Sequence, residues 1–334
     1  VTQGGAVSLN NVSDADREAA GEALNNQYDT KLQDNPANFG MQFALGNRYD
    51  AANGSTFGYL LGVRYDNDWS QRKEFRSTSA LTGDGDVVAL DEGFQYRTEN
   101  TIDLSGMLNL EWGISDLHTL RNTLLVTRRT DNRGIRDINF LAENDFNVAD
   151  TTFEFVEREL FSEQLSGEHL LGDSGDNQLD WFVSVSRAER IEPDTRFYRY
   201  EQRDDGLYAF SEERGLSNER SWEELNDDAV NVGVDFSVPV TLSSQVGGTI
   251  KTGINYLNKD RDSTFRRFRY ITDLSRNDLS DTLGAASPGD IFTPDVIAPG
   301  LWELEETTLA TDNYEASEKI QGVYVTADAD IGET

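Results

Sequence analysis

Catalysis, metal binding and ligand capture each need particular side chains at particular spacings, and this sequence offers few of them. Its 334 residues include no cysteine and two histidines, His118 and His169. The missing thiols exclude disulfide frameworks, Cys-type zinc sites, thiol catalysis and iron–sulfur clusters. There is no G-x-S-x-G turn, P-loop, H-E-x-x-H pair or G-x-G-x-x-G after a strand. The chain therefore reads as a non-enzyme with no cofactor. His118 falls in an expected short turn and His169 near a strand end, and for both a turn or interface role is the simpler reading. Asp84-Gly85-Asp86 and Asp173-Ser174-Gly175-Asp176 bring carboxylates close together. Both lack the glycine at position 6 and the glutamate at position 12 of a calcium loop, so they read as solvated turn acids and no metal is expected.

Two stretches carry denser chemistry. Arg196, Tyr198, Tyr200, Tyr208 and Phe210 lie among further arginines and acids, and Phe265, Arg267 and Tyr270 alternate with Arg266, Phe268 and Arg269. One reading is a rim that captures a small molecule: rings stack, and guanidinium groups pair with carboxylates, catecholates or phosphates. The other is an upper aromatic girdle on strands that run beyond a membrane and pair their charges across neighbours. Trp112 and Trp181 read as lipid-interface anchors.

The overall charge narrows the partners. Lys and Arg number 29 against 61 Asp and Glu, a net charge of −32. No nucleic-acid partner is expected, because a duplex binder needs a basic surface to replace condensed counterions. The excess acid either selects against anionic ligands, or keeps long exposed segments solvated, or holds divalent cations between lipopolysaccharides. No run of about 18 apolar residues exists, which excludes a membrane helix but not a membrane barrel, whose strands alternate and average out as polar. The 10% aromatic content argues against an acidic disordered chain.

The elements that must hold these residues show period-two alternation. Val230, Val232, Val234, Phe236, Val238 and Val240 share one face. Ile102, Leu104, Leu108, Leu110 and Trp112 share another, and Leu179, Trp181, Val183 and Val185 a third. Phe39 to Leu45 and Phe57 to Tyr65 repeat the pattern. Four weaker runs, at Leu120–Arg128, Glu159–Leu170, Val246–Tyr256 and Lys319–Ala329, bring the count to nine strands. The clearest runs span about 9–13 residues, longer than a typical soluble strand. Connections alternate between short turns (50–55, 115–118, 172–177, 241–245) and segments expected to be long loops (67–96, 130–151, 192–226, 258–314). Asp103, Glu111, Asp180 and Asp235 all fall on the polar face. Two architectures fit: an up-and-down outer-membrane barrel with short turns at one end and long loops at the other, or a soluble β-sandwich. Strand length, strand order, loop asymmetry and charge placement favour the barrel.

Residues 1–37 differ. Ser13-Asp14-Ala15-Asp16 has capping-box spacing ahead of a helix-forming run, so a loop or short helical segment is expected there, with a boundary near Pro36. Val1 opens directly into polar sequence without a leader pattern, so an exported chain is expected to be a mature form or an internal piece.

Three stretches resemble the barrel of TonB-dependent outer-membrane receptors. They are Glu157–His169 followed by Leu179-Asp180-Trp181 and Glu192–Arg196; Phe57–Tyr65 with Trp69 and Arg72 after it; and Tyr314–Tyr324. The resemblance covers about Asn38 to Ile331. It implies that residues 38–334 are part of an antiparallel, up-and-down transmembrane β-barrel in a bacterial outer membrane. It further implies contact with outer-membrane lipid and energised uptake of a scarce nutrient, a small-molecule ligand such as a ferric siderophore or other metal chelate. The driving partner would be a TonB-type complex acting through a plug. The departures are plain: no plug or partner-contacting box is seen, nine strands stand where the family has 22, and no terminal aromatic closes the chain. An internal fragment of a larger barrel is expected. A passive porin-like barrel and a soluble binding module are the alternatives.

Overall fold

A computed structural model of the chain describes residues 8–31, 33–141, 146–172, 175–211, 217–241, 246–272, 283, 286–297 and 301–331. Nine long strands dominate it: β1 (Phe39–Asp50), β2 (Thr56–Leu81), β3 (Val87–Ser115), β4 (His118–Leu141), β5 (Phe146–Leu171), β6 (Asn177–Gln202), β8 (Asn218–Thr241), β9 (Val246–Ile271) and β11 (Tyr314–Ile331). Two short strands, β7 (Tyr208–Phe210) and β10 (Glu303–Glu306), pair with the far ends of β6 and β9. Neighbours along the chain are neighbours in the sheet from β1 to β6, then β8 and β9, with β11 on the other side of β9; every pairing is antiparallel. β1 and β11 do not pair with each other, so this up-and-down sheet is open. No helix among the described residues is long and apolar enough to cross a membrane.

Register converts the alternation into two continuous surfaces. Directly opposed residues share a face, so Tyr59, Leu110, Asn122, Leu165, Val183, Val232 and Tyr256 form one row across seven strands. The next row is Phe57, Trp112, Leu120, Gly167, Trp181, Val234, Ile254 and Val323. Together with Phe43 on β1 and Leu104 on β3, these rows make an apolar belt toward the short turns. Phe43, Leu104, Val126, Leu165 and Ile254 in it are all exposed. The opposite face is ionic. Asp103 meets Arg129 at 3.6 Å, Arg121 bridges Glu111 and Glu168 at 2.8 and 3.3 Å, and Lys251 meets Asp235 at 3.2 Å.

Three of the four segments expected to be long loops are strands. β2 and β3 run on to a tight hairpin at residues 82–86, closed by Thr82 N–H on the Asp86 carbonyl (2.8 Å) with Gly85 at φ 87°. β4 and β5 continue to Leu141 and Phe146, and β6 and β8 to Gln202 and Asn218. The reason is physical. Above the belt polar and charged residues occur on both faces, the belt-side face mixing them with aromatics, so alternation vanishes from the sequence while the backbone ladder continues. Cross-strand ion pairs accompany it, among them Glu99–Arg133 at 2.6 Å, Arg190–Glu223 at 2.6 Å and the two-pronged Arg199–Asp150 at 2.7 and 2.8 Å. Among the described residues, the stretch between β9 and β11 rejoins the sheet at β10. Asp84 and Asp86 belong to the 82–86 hairpin and His118 opens β4; Asp173 and Ser174, like turn residues 242–245, lie outside the described residues.

Helix α1 (Asp14–Ala23) begins where the Ser13–Asp16 spacing predicts it. The Ser13 hydroxyl accepts from the Asp16 N–H at 3.3 Å and donates to the Asp16 carboxylate at 2.6 Å, which answers one orphan donor of the first turn.

Candidate functional site

At the hairpin end, the face that carries the belt is covered. Residues 8–31 and the segment around Phe292 and Trp302 lie over it, and an aromatic cluster fills the gap: Tyr28, Tyr198, Tyr200, Phe210, Tyr270, Phe292 and Trp302 are all buried. The rings meet edge-on, tilted or stacked. Tyr270 and Phe292 stack at 4.7 Å, and Tyr200 and Phe210 meet edge-to-face at 5.8 Å. Such pairs contribute about 0.5–1.5 kcal/mol each beyond their burial. Burial pushes the phenols of Tyr28, Tyr198, Tyr200 and Tyr270 up. Three of them reach carbonyls of the covering segments: Tyr198 to Tyr28 (3.3 Å), Tyr200 to Ala286 (2.8 Å) and Tyr270 to Gly21 (2.8 Å).

A guanidinium clamp fixes the N-terminal segment beside this cluster. Arg220 is only 1% exposed. It donates to both carboxylate oxygens of Asp194 at 2.8 and 2.6 Å, to Asn26 Oδ1 at 2.6 Å and to the Asn25 carbonyl at 3.1 Å. Asp194 sits at φ 60°, a left-handed conformation that strains most side chains and that Asp tolerates better than most. It occupies the irregularity in the β6–β8 pairing between Glu192 and Thr195, where the strand must bend to aim the carboxylate. Arg196 holds Asp194 at 2.6 Å and the Gln27 carbonyl.

Between residues 29–35 and the sheet lies a cavity of about 550 Å³, within the range of small-molecule sites. Trp69, Tyr96 and Phe153 give it flat apolar surface; Gln71, Lys31 and Arg136 give it donors. Asp29, also in its wall, is engaged by the Gly289 N–H at 3.2 Å. In a chain with 61 acids, Lys31 and Arg136 form no ion pair among the described residues. Two free cations beside three rings suit an anion with a planar group.

The ionic face behind this wall is balanced rather than receptive. Asp131, 1% exposed, takes the Thr101 hydroxyl at 2.9 Å, Arg158 at 2.8 Å, Arg129 at 3.2 Å and Arg133 at 3.3 Å. Glu99 and Glu154 answer Arg133 from the other side. Burial alone pushes the Asp131 carboxyl up, but the Thr101 hydroxyl and the Arg129 and Arg133 guanidiniums outweigh it and hold it below the usual range.

The structure brings five of the eight candidate residues from the sequence into contact with this cover: Tyr198, Tyr200, Phe210 and Tyr270 in the aromatic cluster and Arg196 in the clamp. Tyr208 packs at the cluster's margin. Phe265 and Arg267 stand apart on β9, paired with each other at 5.3 Å and, through Arg267, with Asp312 at 2.8 Å. None of the eight lines the cavity. Trp69, which follows the second resembling stretch, is its one sequence signal. Lys31 and Arg136 carry none, because nothing local marks which cation lacks a partner. No protein-family model matches the chain, and a search of the curated proteins returns no match.

Proposed function

We propose that this chain forms wall and outer rim of an outer-membrane β-barrel of the TonB-dependent receptor type, and that it serves energised uptake of a scarce small molecule such as a metal chelate. The observation that carries the reading is the split between faces. One face bears an exposed apolar belt across the nine long strands toward the short turns, interrupted by Glu163, which accepts from Asn122 at 3.1 Å; the other bears paired charges. Hydrocarbon penalises a charge of the first kind of surface and water tolerates the second. Strands of 24–29 residues rise far above a belt that needs about 9–11 tilted residues to span a bilayer. Their upper halves thus stand outside the membrane, carrying the covered aromatic cluster and the cavity. Capture of the ligand falls to the cavity, which lies on the belt side of the wall above the membrane, and onward passage runs over the hairpin ends to the ion-lined face once a plug on the natural protein yields to its energised partner.

The test is uptake by cells carrying the natural protein in the outer membrane, with and without the energising complex. Candidate chelates are screened for binding to the purified protein, and Trp69→Ala and Arg136→Ala are compared with wild type. The reading expects the protein in outer-membrane fractions, uptake abolished when the energising partner is deleted, and binding weakened about tenfold or more in each variant. Uptake that persists without the partner, at a rate linear in concentration, identifies a passive pore and rejects the receptor reading. A protein that stays natively folded without detergent or lipid rejects the membrane reading altogether.

A further inference from the structure

Both histidines of the chain meet at the short-turn end of the belt face. His118 on β4 is directly opposite His169 on β5. Their Nδ1 atoms are 3.2 Å apart, and the Trp181 indole N–H donates to His169 Nε2 at 3.0 Å. An indole nitrogen only donates. His169 Nε2 is therefore bare, its Nδ1 carries the ring proton, and that proton points at a bare Nδ1 on His118. Trp181 is held over the pair because Gly167 leaves the room: a Cβ at Gly167 would lie 2.4 Å from Trp181 Nε1.

The geometry points to a transition-metal site at this pair, with the two Nδ1 atoms as ligands to Cu²⁺ or Zn²⁺. Nitrogens 3.2 Å apart subtend about 100° at an ion placed about 2.05 Å from each, close to a tetrahedral or slightly opened square-planar angle. Both rings are half-buried and half-exposed, so water completes the coordination. Among the described residues no third histidine or carboxylate joins the pair: Glu168 and Thr119, next along each strand, face the other side of the sheet. Binding rearranges one proton. The His169 proton leaves Nδ1 for Nε2, the metal takes both bare Nδ1 lone pairs, and no proton is released. The relocated proton then faces the Trp181 N–H, donor against donor, and the indole turns away. Trp181 is thus a built-in competitor that holds the site in its metal-free tautomer.

The test titrates the natural protein, in detergent or lipid vesicles, with Cu²⁺ alone and Zn²⁺ alone. Calorimetry follows affinity and electron paramagnetic resonance of the copper form counts nitrogen ligands. One site with two nitrogens is expected, with copper tighter than zinc. His118→Asn and His169→Asn each weaken binding at least about tenfold, and Trp181→Phe strengthens it about three- to tenfold, the worth of one hydrogen bond no longer opposed. Fewer than two nitrogens in the wild-type copper spectrum overturns the site, a result that needs no variant to fold. Equal affinity in the histidine variants overturns it as well, and unchanged or weaker binding in Trp181→Phe overturns the competing-tautomer account. The uptake reading stands or falls separately, since no step of it uses this pair.

Discussion

Single carboxylates decide how the upper wall responds to acid. Asp131, Glu99, Asp227 and Glu306 share one situation: burial pushes each up, and neighbouring guanidinium, ammonium or hydrogen-bond donors more than reverse it. A carboxylate whose folded pKa lies below its unfolded value of about 4 contributes stability that is complete above that value and lost as pH falls through the folded one. The urea midpoint of the folded protein is therefore expected to hold steady from pH 8 to about 5 and to drop below about 4. Asp131→Asn removes the only carboxylate that Arg158 bonds among the described residues and one shared by Arg129 and Arg133. Because Arg129 and Arg158 keep about half their exposure and solvent relieves them, its cost at pH 7 is expected at about 1–3 kcal/mol rather than that of a fully buried pair. The variant's acid limb is expected to be correspondingly shallower, and equal midpoints for variant and wild type at pH 7 refute this assignment.

Elements were legible wherever one of their faces is apolar. Seven of the nine long strands are legible through alternation in their lower halves, the runs at Glu159–Leu170 and Lys319–Ala329 alternate poorly, and Ser13 marks the start of α1. The upper halves of the strands are not legible, because Arg97, Glu99 and Arg133 on one face and Thr98, Asn132 and Arg136 on the other leave no period to read. The aromatic cluster was half visible: Tyr198, Tyr200, Phe210 and Tyr270 stood out as dense in rings, yet their partners Tyr28, Phe292 and Trp302 are isolated residues in irregular chain, placed only by tertiary packing. The clamp at Arg220 was invisible for the same reason. It predicts a measurable docking energy for the N-terminal segment. Arg220→Ala leaves Asp194 without its two-pronged partner, the Asn25 carbonyl without the guanidinium donor, and Asn26 Oδ1 with only the Tyr270 hydroxyl at 3.0 Å, costing about 3 kcal/mol. Amide exchange across residues 24–31 is expected to accelerate about a hundredfold while strands β2 to β5 keep their protection. Arg220→Lys rescues little, since a single ammonium cannot reproduce the fork. Unchanged exchange in residues 24–31 means that the aromatic cluster alone holds the segment.

The molecule as a whole poses one question of solvent: what the belt face touches. Val183, 39% exposed, sits mid-row between Leu165 and Val232. Ser184 follows it on the opposite face, opposite Gln164 and Asn231. In water both positions tolerate an arginine about equally, because a half-exposed valine on an open sheet loses little when a long charged side chain replaces it. In hydrocarbon they separate. Val183→Arg then costs about 2–4 kcal/mol near the midplane, whereas Ser184→Arg stays near neutral on a face already lined with charges. Urea titrations of the natural protein refolded into phospholipid vesicles measure that difference directly. A gap of about 2 kcal/mol or more between the two variants follows from lipid at the belt. Indistinguishable midpoints follow from water or protein there, and they remove the asymmetry between faces on which the uptake proposal depends.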